Sequence, residues 1–143
     1  MVEILFAKKD DLDTHIADTS NPHAVTPLEH ILLVIGDETT NITTGTAKFT
    51  FRMPYTFTLT EVRASLATAS TSGAPVLDIN EGGTTILSTK LTIDQDEKTS
   101  QTAATPAVIS DTALADDAEI TIDIDTAGTG AKGLKVMLIG RQS

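Results

Sequence analysis

Residues 119–125 read Glu-Ile-Thr-Ile-Asp-Ile-Asp, so apolar and polar side chains alternate without a break. Successive side chains of a β-strand point to opposite faces of a sheet, whereas a helical face repeats about every 3.6 residues. The pattern therefore predicts a strand with one dry and one wet face. We expect the three isoleucines to face the core and the residues between them to face solvent.

From residue 28 onward the chain is rich in β-branched residues, interrupted by clusters of Gly, Pro, Asn, Asp and Ser. This texture is typical of antiparallel sheets. The candidate strands are residues 31–35, 46–51, 57–66, 75–80, 84–88, 99–104, 118–125 and 133–139. Short strands without an amphipathic helix of about ten residues favour an all-β fold, an antiparallel β-sandwich of jelly-roll type, over an α/β fold.

The chain length of 143 residues fits one compact domain with an appendage. Residues 1–30 are polar and show no sustained alternation, and Pro22 and Pro27 impose extended or turn geometry on their neighbours. We therefore divide the chain into an extended N-terminal arm, residues 1–30, and a β-sandwich head, residues 31–143.

Local irregularities are also predicted. The apolar positions of 57–64 change phase at Val62, which indicates a β-bulge near Thr60 and Glu61. The sequence Asn-Glu-Gly-Gly at 80–83 predicts a tight hairpin between strands 75–80 and 84–88. The three glycines within 126–133 predict a longer, flexible loop between the last two strands. Residues 99–110 are Thr- and Ala-rich and contain a proline, which favours an edge strand or an exposed loop.

Composition excludes several classes of function. With 10 basic and 20 acidic residues the formal charge is −10, so nucleic acid would be repelled and is excluded as the main partner. The absence of Cys excludes disulfides, thiolate zinc sites and a Cys nucleophile. No apolar run approaches the roughly 20 residues that cross a bilayer, and the first residues do not resemble a signal peptide. We expect no membrane partner and no cofactor.

Motifs that carry enzymatic chemistry are missing from the sequence. It contains no G-x-S-x-G elbow, no phosphate-binding G-x-x-x-x-G-K-[ST] loop and no H-E-x-x-H zinc motif. The acidic clusters at 94–97 and 116–119 lack the spacing of a calcium loop and are interpreted as solvated turns. Phe49, Phe51, Tyr55 and Phe57 recur at odd positions, which favours core filling over a sugar-binding platform. We expect no enzyme and no catalytic residues.

Three histidines, His15, His23 and His30, are the candidate metal ligands. Their separations of 8 and 7 residues match no motif within one chain. A site would form where three chains meet on a symmetry axis and each donates one histidine. The simpler interpretation is a capping or hydrogen-bonding role.

Residues 12–26 read Leu-Asp-Thr-His-Ile-Ala-Asp-Thr-Ser-Asn-Pro-His-Ala-Val-Thr. This resembles a segment that recurs in bacteriophage tail-fibre and other virion-fibre proteins: a histidine, a polar run, then Asn-Pro-His-x-Val-Thr. The stretches 42–46, 50–55, 78–83 and 133–136 are similar to a β domain found in phage structural proteins. In fibre families a Gln- or Lys-led stretch and further repeats follow the segment, whereas this chain continues with Pro-Leu-Glu-His at 27–30 and has no repeats.

The resemblance implies a virion structural protein: a homotrimer displayed on the particle, either as a short fibre or as a knob that decorates the capsid. Its partners would be other virion proteins of the capsid or tail, and sister copies. In the attachment arm, Ile4, Leu5 and Phe6 would supply an apolar anchor, while Asn21, Pro22 and His23 would set the bend.

Two other functions stay open. The first is a carbohydrate-binding module of a tail fibre that recognises a host surface glycan through exposed loops. The second is a polysaccharide hydrolase, because two carboxylates that meet only in space leave no motif in the sequence.

Overall fold

The computed structural model describes residues 27–143, which form antiparallel β-structure with one short 3-10 helix, Ser100–Thr102. Within this range the strands are β1 (Glu29–Val34), β2 (Gly45–Arg52), β3 (Phe57–Ser65), β4 (Val76–Glu81), β5 (Thr84–Thr85), β6 (Leu87–Thr89), β7 (Leu91–Thr92), β8 (Val108–Ile109), β9 (Ala113–Leu114), β10 (Glu119–Thr126) and β11 (Lys135–Gln142).

The strands form two main sheets. The front sheet has the order β1-β11-β3-β9. The back sheet has the order β2-β10-β4-β5, and β7 also pairs with β4. Strands β6 and β8 form a small separate pair. Apolar side chains from both main sheets belong to one core, so the predicted all-β antiparallel sandwich is confirmed. The jelly-roll type within this class stays a prediction.

Alternation along β10 and β11 builds the centre of the core. The three isoleucines of β10 are buried, as predicted, and β11 buries Val136 and Leu138 in the same way. Each of these strands lies between two others in its sheet, β10 between β2 and β4 and β11 between β1 and β3. Both hydrogen-bonding edges of each strand are therefore paired. The alternation of side chains then determines which residues face the core and which face solvent.

The predicted bulge lies in β3 at Thr60. Ile139 pairs with Glu61 and Gly140 pairs with Leu59, so Thr60 has no partner residue in the ladder. Its hydroxyl donates a hydrogen bond of 3.1 Å to the carbonyl of Ile139. The extra residue returns the apolar side chains after it to the core face, which explains the change of phase seen in the sequence.

The predicted hairpin at 80–83 is confirmed. Asn80 pairs with Thr85 and Glu81 pairs with Thr84. The two turn residues, Gly82 and Gly83, have φ of 54° and 83°, a left-handed backbone that favours glycine.

Two predicted strands differ from the structure. Residues 99–104 do not form a strand: the Thr99 side chain accepts a hydrogen bond from the Gln101 amide and starts the 3-10 helix, a local contact that competes with strand pairing. Residues 84–88 are divided between β5 and β6, and β6 pairs with β8 rather than β4. Residues 108–109 of the predicted edge strand or loop form β8.

The loop 126–133 crosses from the back sheet to the front sheet. Its backbone is held by hydrogen bonds of 2.9 Å from the Ile42 amide to the Ala131 carbonyl and from the Thr71 amide to the Thr129 carbonyl. Ala131 is buried. The loop is longer than a hairpin turn, as predicted, and these contacts attach it to the rest of the domain.

The predicted arm lies mostly outside the described residues. Its C-terminal boundary at residue 30 falls within β1, because Glu29 pairs with Gly140 and His30 pairs with Ile139. Strand β1 then ends before Asp37, whose carboxylate accepts the amides of Thr39 and Thr40 at 2.7 and 2.6 Å. Hydrogen bonds from the Thr39 hydroxyl and from these amides lower the pKa of Asp37.

Gly140 should be the least replaceable residue of the bulge. A Cβ at this position would lie 2.2 Å from the Thr58 carbonyl oxygen and 2.6 Å from the Phe57 ring, and neither group has room to move. We expect Gly140→Ala to lower the free energy of unfolding by about 3 kcal/mol, measured by urea denaturation.

Gly36→Ala is the matched control, since its Cβ would meet only Ile42 at an ordinary 3.7 Å. Equal stability of the two variants would contradict the close approach of β11 to β3.

Candidate functional site

The outer face of the front sheet is apolar beside β1. Leu28, Leu32 and Val34 are 62%, 50% and 53% exposed, and they are three of the four large exposed apolar residues in the described part of the chain. Their neighbours on β11 are Met137 and Ile139, which alternate with buried residues and so face outward. We call these five residues the apolar face.

The sequence of β1 explains this exposure. Six of the eight residues at 28–35 are apolar, so the strand does not alternate. Its inner face already buries Leu33 and packs Ile31 against the core. The remaining apolar side chains must then lie on the outer face, where no described residue covers them.

Strand β1 is also the edge of the front sheet, since β11 is its one partner among residues 27–143. Its charged residue, Glu29, accepts a hydrogen bond of 2.8 Å from the Tyr55 hydroxyl, a bond that raises the pKa of Tyr55. This edge therefore lacks the proline, bulge or free charge with which natural sheets block further pairing.

A hollow of about 150 Å³ opens beside the apolar face. Its lining combines the apolar Leu32 and Met137 with the polar Arg63, Lys135 and Gln101. Arg63 contacts Glu61 at 2.7 Å and Lys135 contacts Glu38 at 2.9 Å, so the cations at its rim are paired within the chain. The hollow therefore has a mixed apolar and polar lining.

The outer face of the back sheet is different, because it carries a hydrogen-bonded acidic network. Asp78 is buried and accepts hydrogen bonds from the Ile79 amide and the Thr85 hydroxyl. Lys90 contacts Asp78 at 3.1 Å and also binds Asp125. The hydrogen bonds to Asp125 and Asp78 raise the pKa of Lys90.

Asp123 extends this network to β2. It accepts a hydrogen bond of 3.1 Å from Asn80 and one of 2.7 Å from the Ala47 amide. Ala47 has φ of 46°, a left-handed conformation within a bulge of β2 that aims its amide at the carboxylate. The residues between the isoleucines of β10 face outward, as predicted, but Asp123 and Asp125 bind protein groups as well as solvent.

A larger groove of about 670 Å³ lies beside β3. Its apolar lining includes Leu59, Val62 and Ile109, and its polar groups include Glu61 and Gln101. None of the four aromatic residues within 27–143 lines it. Phe57 fills the core, as predicted. Phe49, Phe51 and Tyr55 are half-buried and pack against the core.

The predicted site residues are only in part within the described range. Ile4, Leu5, Phe6, His15, Asn21, Pro22 and His23 lie outside it. His30 is exposed on the outer face of β1, between Leu28 and Leu32. Residues 27–143 contain no group of three or more potential metal ligands. They also contain no helix long and apolar enough to cross a membrane.

Comparisons with protein-family models, with curated proteins and with solved structures found no match to this chain.

Lys90 should stabilise the fold by compensating the buried Asp78. Replacing Lys90 with Met leaves that carboxylate without its cation, and we expect the free energy of unfolding to fall by about 1–2 kcal/mol, less than for a fully buried pair because Lys90 is half-exposed and screened by water. Urea denaturation at pH 7 measures the loss.

Lys98→Met is the matched control, since no ion pair of Lys98 exists among the described residues. Because the pKa of Lys90 is raised, its contribution is present below the usual lysine value of 10.5 and is lost as pH rises through the raised value. Equal losses in the two variants would contradict the role of the network.

Proposed function

We propose that this chain is a structural protein of a bacteriophage virion, displayed on the particle as a homotrimer, either as a short fibre or as a capsid-decorating knob. The sequence resemblance at 12–26 and in the β domain supports this proposal. The observation that carries it is the contrast between the two outer faces of the sandwich. The proposal gives the chain no catalytic role.

The difference between the apolar front sheet and the acidic back sheet suits a domain that is bound on one side and exposed to solvent on the other. The front sheet exposes Leu28, Leu32 and Val34, and large apolar patches on soluble proteins mark interaction sites. The back sheet presents Asp123, Asp125 and their hydrogen-bonded neighbours. With a formal charge of −10, the displayed surface would stay soluble at high local density.

The order of the strands supports the jelly-roll type within this proposal. The chain alternates between the sheets in its first four strands, with β1 front, β2 back, β3 front and β4 back, and again in its last three, with β9 front, β10 back and β11 front. Double-sheet jelly rolls with such crossings occur in viral capsid and lectin domains. This support is an analogy of fold, and a fold alone does not fix a function.

The attachment segment of the proposed particle is the predicted arm, residues 1–30, shortened to residues 1–26 because β1 begins at Glu29. Ile4, Leu5 and Phe6 are its proposed anchor to the capsid or tail, and Asn21, Pro22 and His23 its proposed bend.

A carbohydrate-binding module of a tail fibre is the second candidate, favoured by the groove beside β3. Its Glu61 and Gln101 offer polar groups to a glycan. It lacks the aromatic surface on which sugars stack, which ranks this candidate below the first. A host glycan array separates the two, since specific binding that a groove variant abolishes would favour the second.

Deleting residues 1–26 tests the attachment role. The deletion leaves β1 intact, and we expect a folded, soluble head that no longer joins purified particles, scored by quantitative immunoblot and immunogold electron microscopy. His23→Ala is the milder companion variant and should reduce incorporation less.

Incorporation of the deleted chain at normal copy number would assign attachment to the head instead. Absence of the full chain from particles would contradict the virion role, and turnover of a host polysaccharide would contradict the structural one.

A further inference from the structure

We propose that the apolar face is the surface through which copies of this chain bind one another, with three copies packed around an axis that runs along β1. The number of copies rests on the proposed function, whereas the choice of surface rests on the structure alone.

The first argument is the concentration of exposed apolar side chains. Leu32 and Val34 follow one another on the outer face of β1, after His30 on the same face, and Leu28 lies just before the strand. At about 3.4 Å per residue, they form levels roughly 7 Å apart along the strand. In a symmetric assembly, the side chain at each level can pack against the same side chain of another copy. Apolar side chains permit such contacts, whereas like charges would repel one another.

The second argument is that the surface contains both halves of a contact. Val34 is 53% exposed on β1, and the hollow of about 150 Å³, whose lining includes Leu32 and Met137, opens on the same sheet. A closed assembly of identical copies needs projecting and recessed parts on the surfaces that meet. The apolar face and the hollow beside it provide both on one side of the head.

The third argument is charge, which favours the apolar face over other surfaces as the place where two copies meet. Chains with a formal charge of −10 repel one another, so they must meet where acidic groups are few or compensated. Around the apolar face, Glu61 is paired with Arg63 and Glu38 with Lys135. The back sheet instead places Asp123 and Asp125 outward, and a contact there would bring like charges together.

The test is the molar mass of the full chain by light scattering after gel filtration. We expect about three times the chain mass of 15.1 kDa at micromolar concentration. The double variant Leu32→Lys with Val34→Lys adds charge to the centre of the face, and we expect its molar mass to fall threefold. Leu28→Lys, which lies just before β1, is a second variant that does not alter a paired strand.

Val108→Lys is the matched control, because Val108 is 49% exposed but lies in β8, away from the apolar face. It should retain the wild-type mass. Far-ultraviolet circular dichroism of each variant shows whether the β-fold is kept.

Three outcomes would overturn the inference: a monomeric or dimeric wild type, variants of the apolar face that remain trimeric, or dissociation by Val108→Lys alone. These outcomes are distinct from failure of the proposed function. A chain that is monomeric in solution yet present in particles would remove this interface and leave the virion role intact.

Discussion

The apolar layer shared by the two sheets is the constraint on which the rest of this structure depends. With no Cys, no Trp and few other aromatic residues, the core rests on Ile, Leu and Val. The central strands β10 and β11 supply its middle, and their strict alternation allows no shift of register, since a slip of one residue would turn every isoleucine of β10 to solvent. The bulge at Thr60 and the bare backbone of Gly140 keep β3 in phase with this layer.

Much of this fold was predictable because alternation and turn chemistry are local signals. Alternation predicts the burial of Ile120, Ile122 and Ile124, the change of phase predicts a bulge near Thr60 and Glu61, and the glycines predict the turn at Gly82 and Gly83. The errors fall where a side chain competes with the ladder. The Thr99 hydroxyl caps a 3-10 helix, Ser100–Thr102, inside the predicted strand 99–104. The Thr85 hydroxyl binds Asp78 and the Leu87 amide at the boundary between β5 and β6.

The candidate site was less predictable, because exposure depends on tertiary neighbours. The unbroken apolar run at 31–35 is visible in the sequence, but the same run would suit a strand buried on both faces. Leu32 and Val34 are exposed because no described residue covers the outer face of the front sheet at β1, its edge strand. The Asp78 network was missed for a related reason: its members, Asp78, Lys90 and Asp125, lie on different strands or loops, and no spacing joins them. The predicted anchor and bend residues of the arm lie outside the described range and stay predictions.

The positions of the acidic residues on the back sheet and of the exposed apolar residues on the front sheet are related, because a small, strongly acidic domain must accommodate both. A chain with this excess of acid must place carboxylates somewhere, and the back sheet fixes several of them in hydrogen bonds to Lys90, Asn80 and the Ala47 amide. The acidic residues in or beside the front sheet are few and have partners: Glu61 pairs with Arg63, Glu38 pairs with Lys135, and Glu29 accepts a hydrogen bond from Tyr55. An apolar edge strand in water would be a liability for a protein that stayed alone. On a chain that assembles, the same edge is stabilising, because burying Leu32 and Val34 removes apolar surface from water while the acidic faces of the copies remain apart.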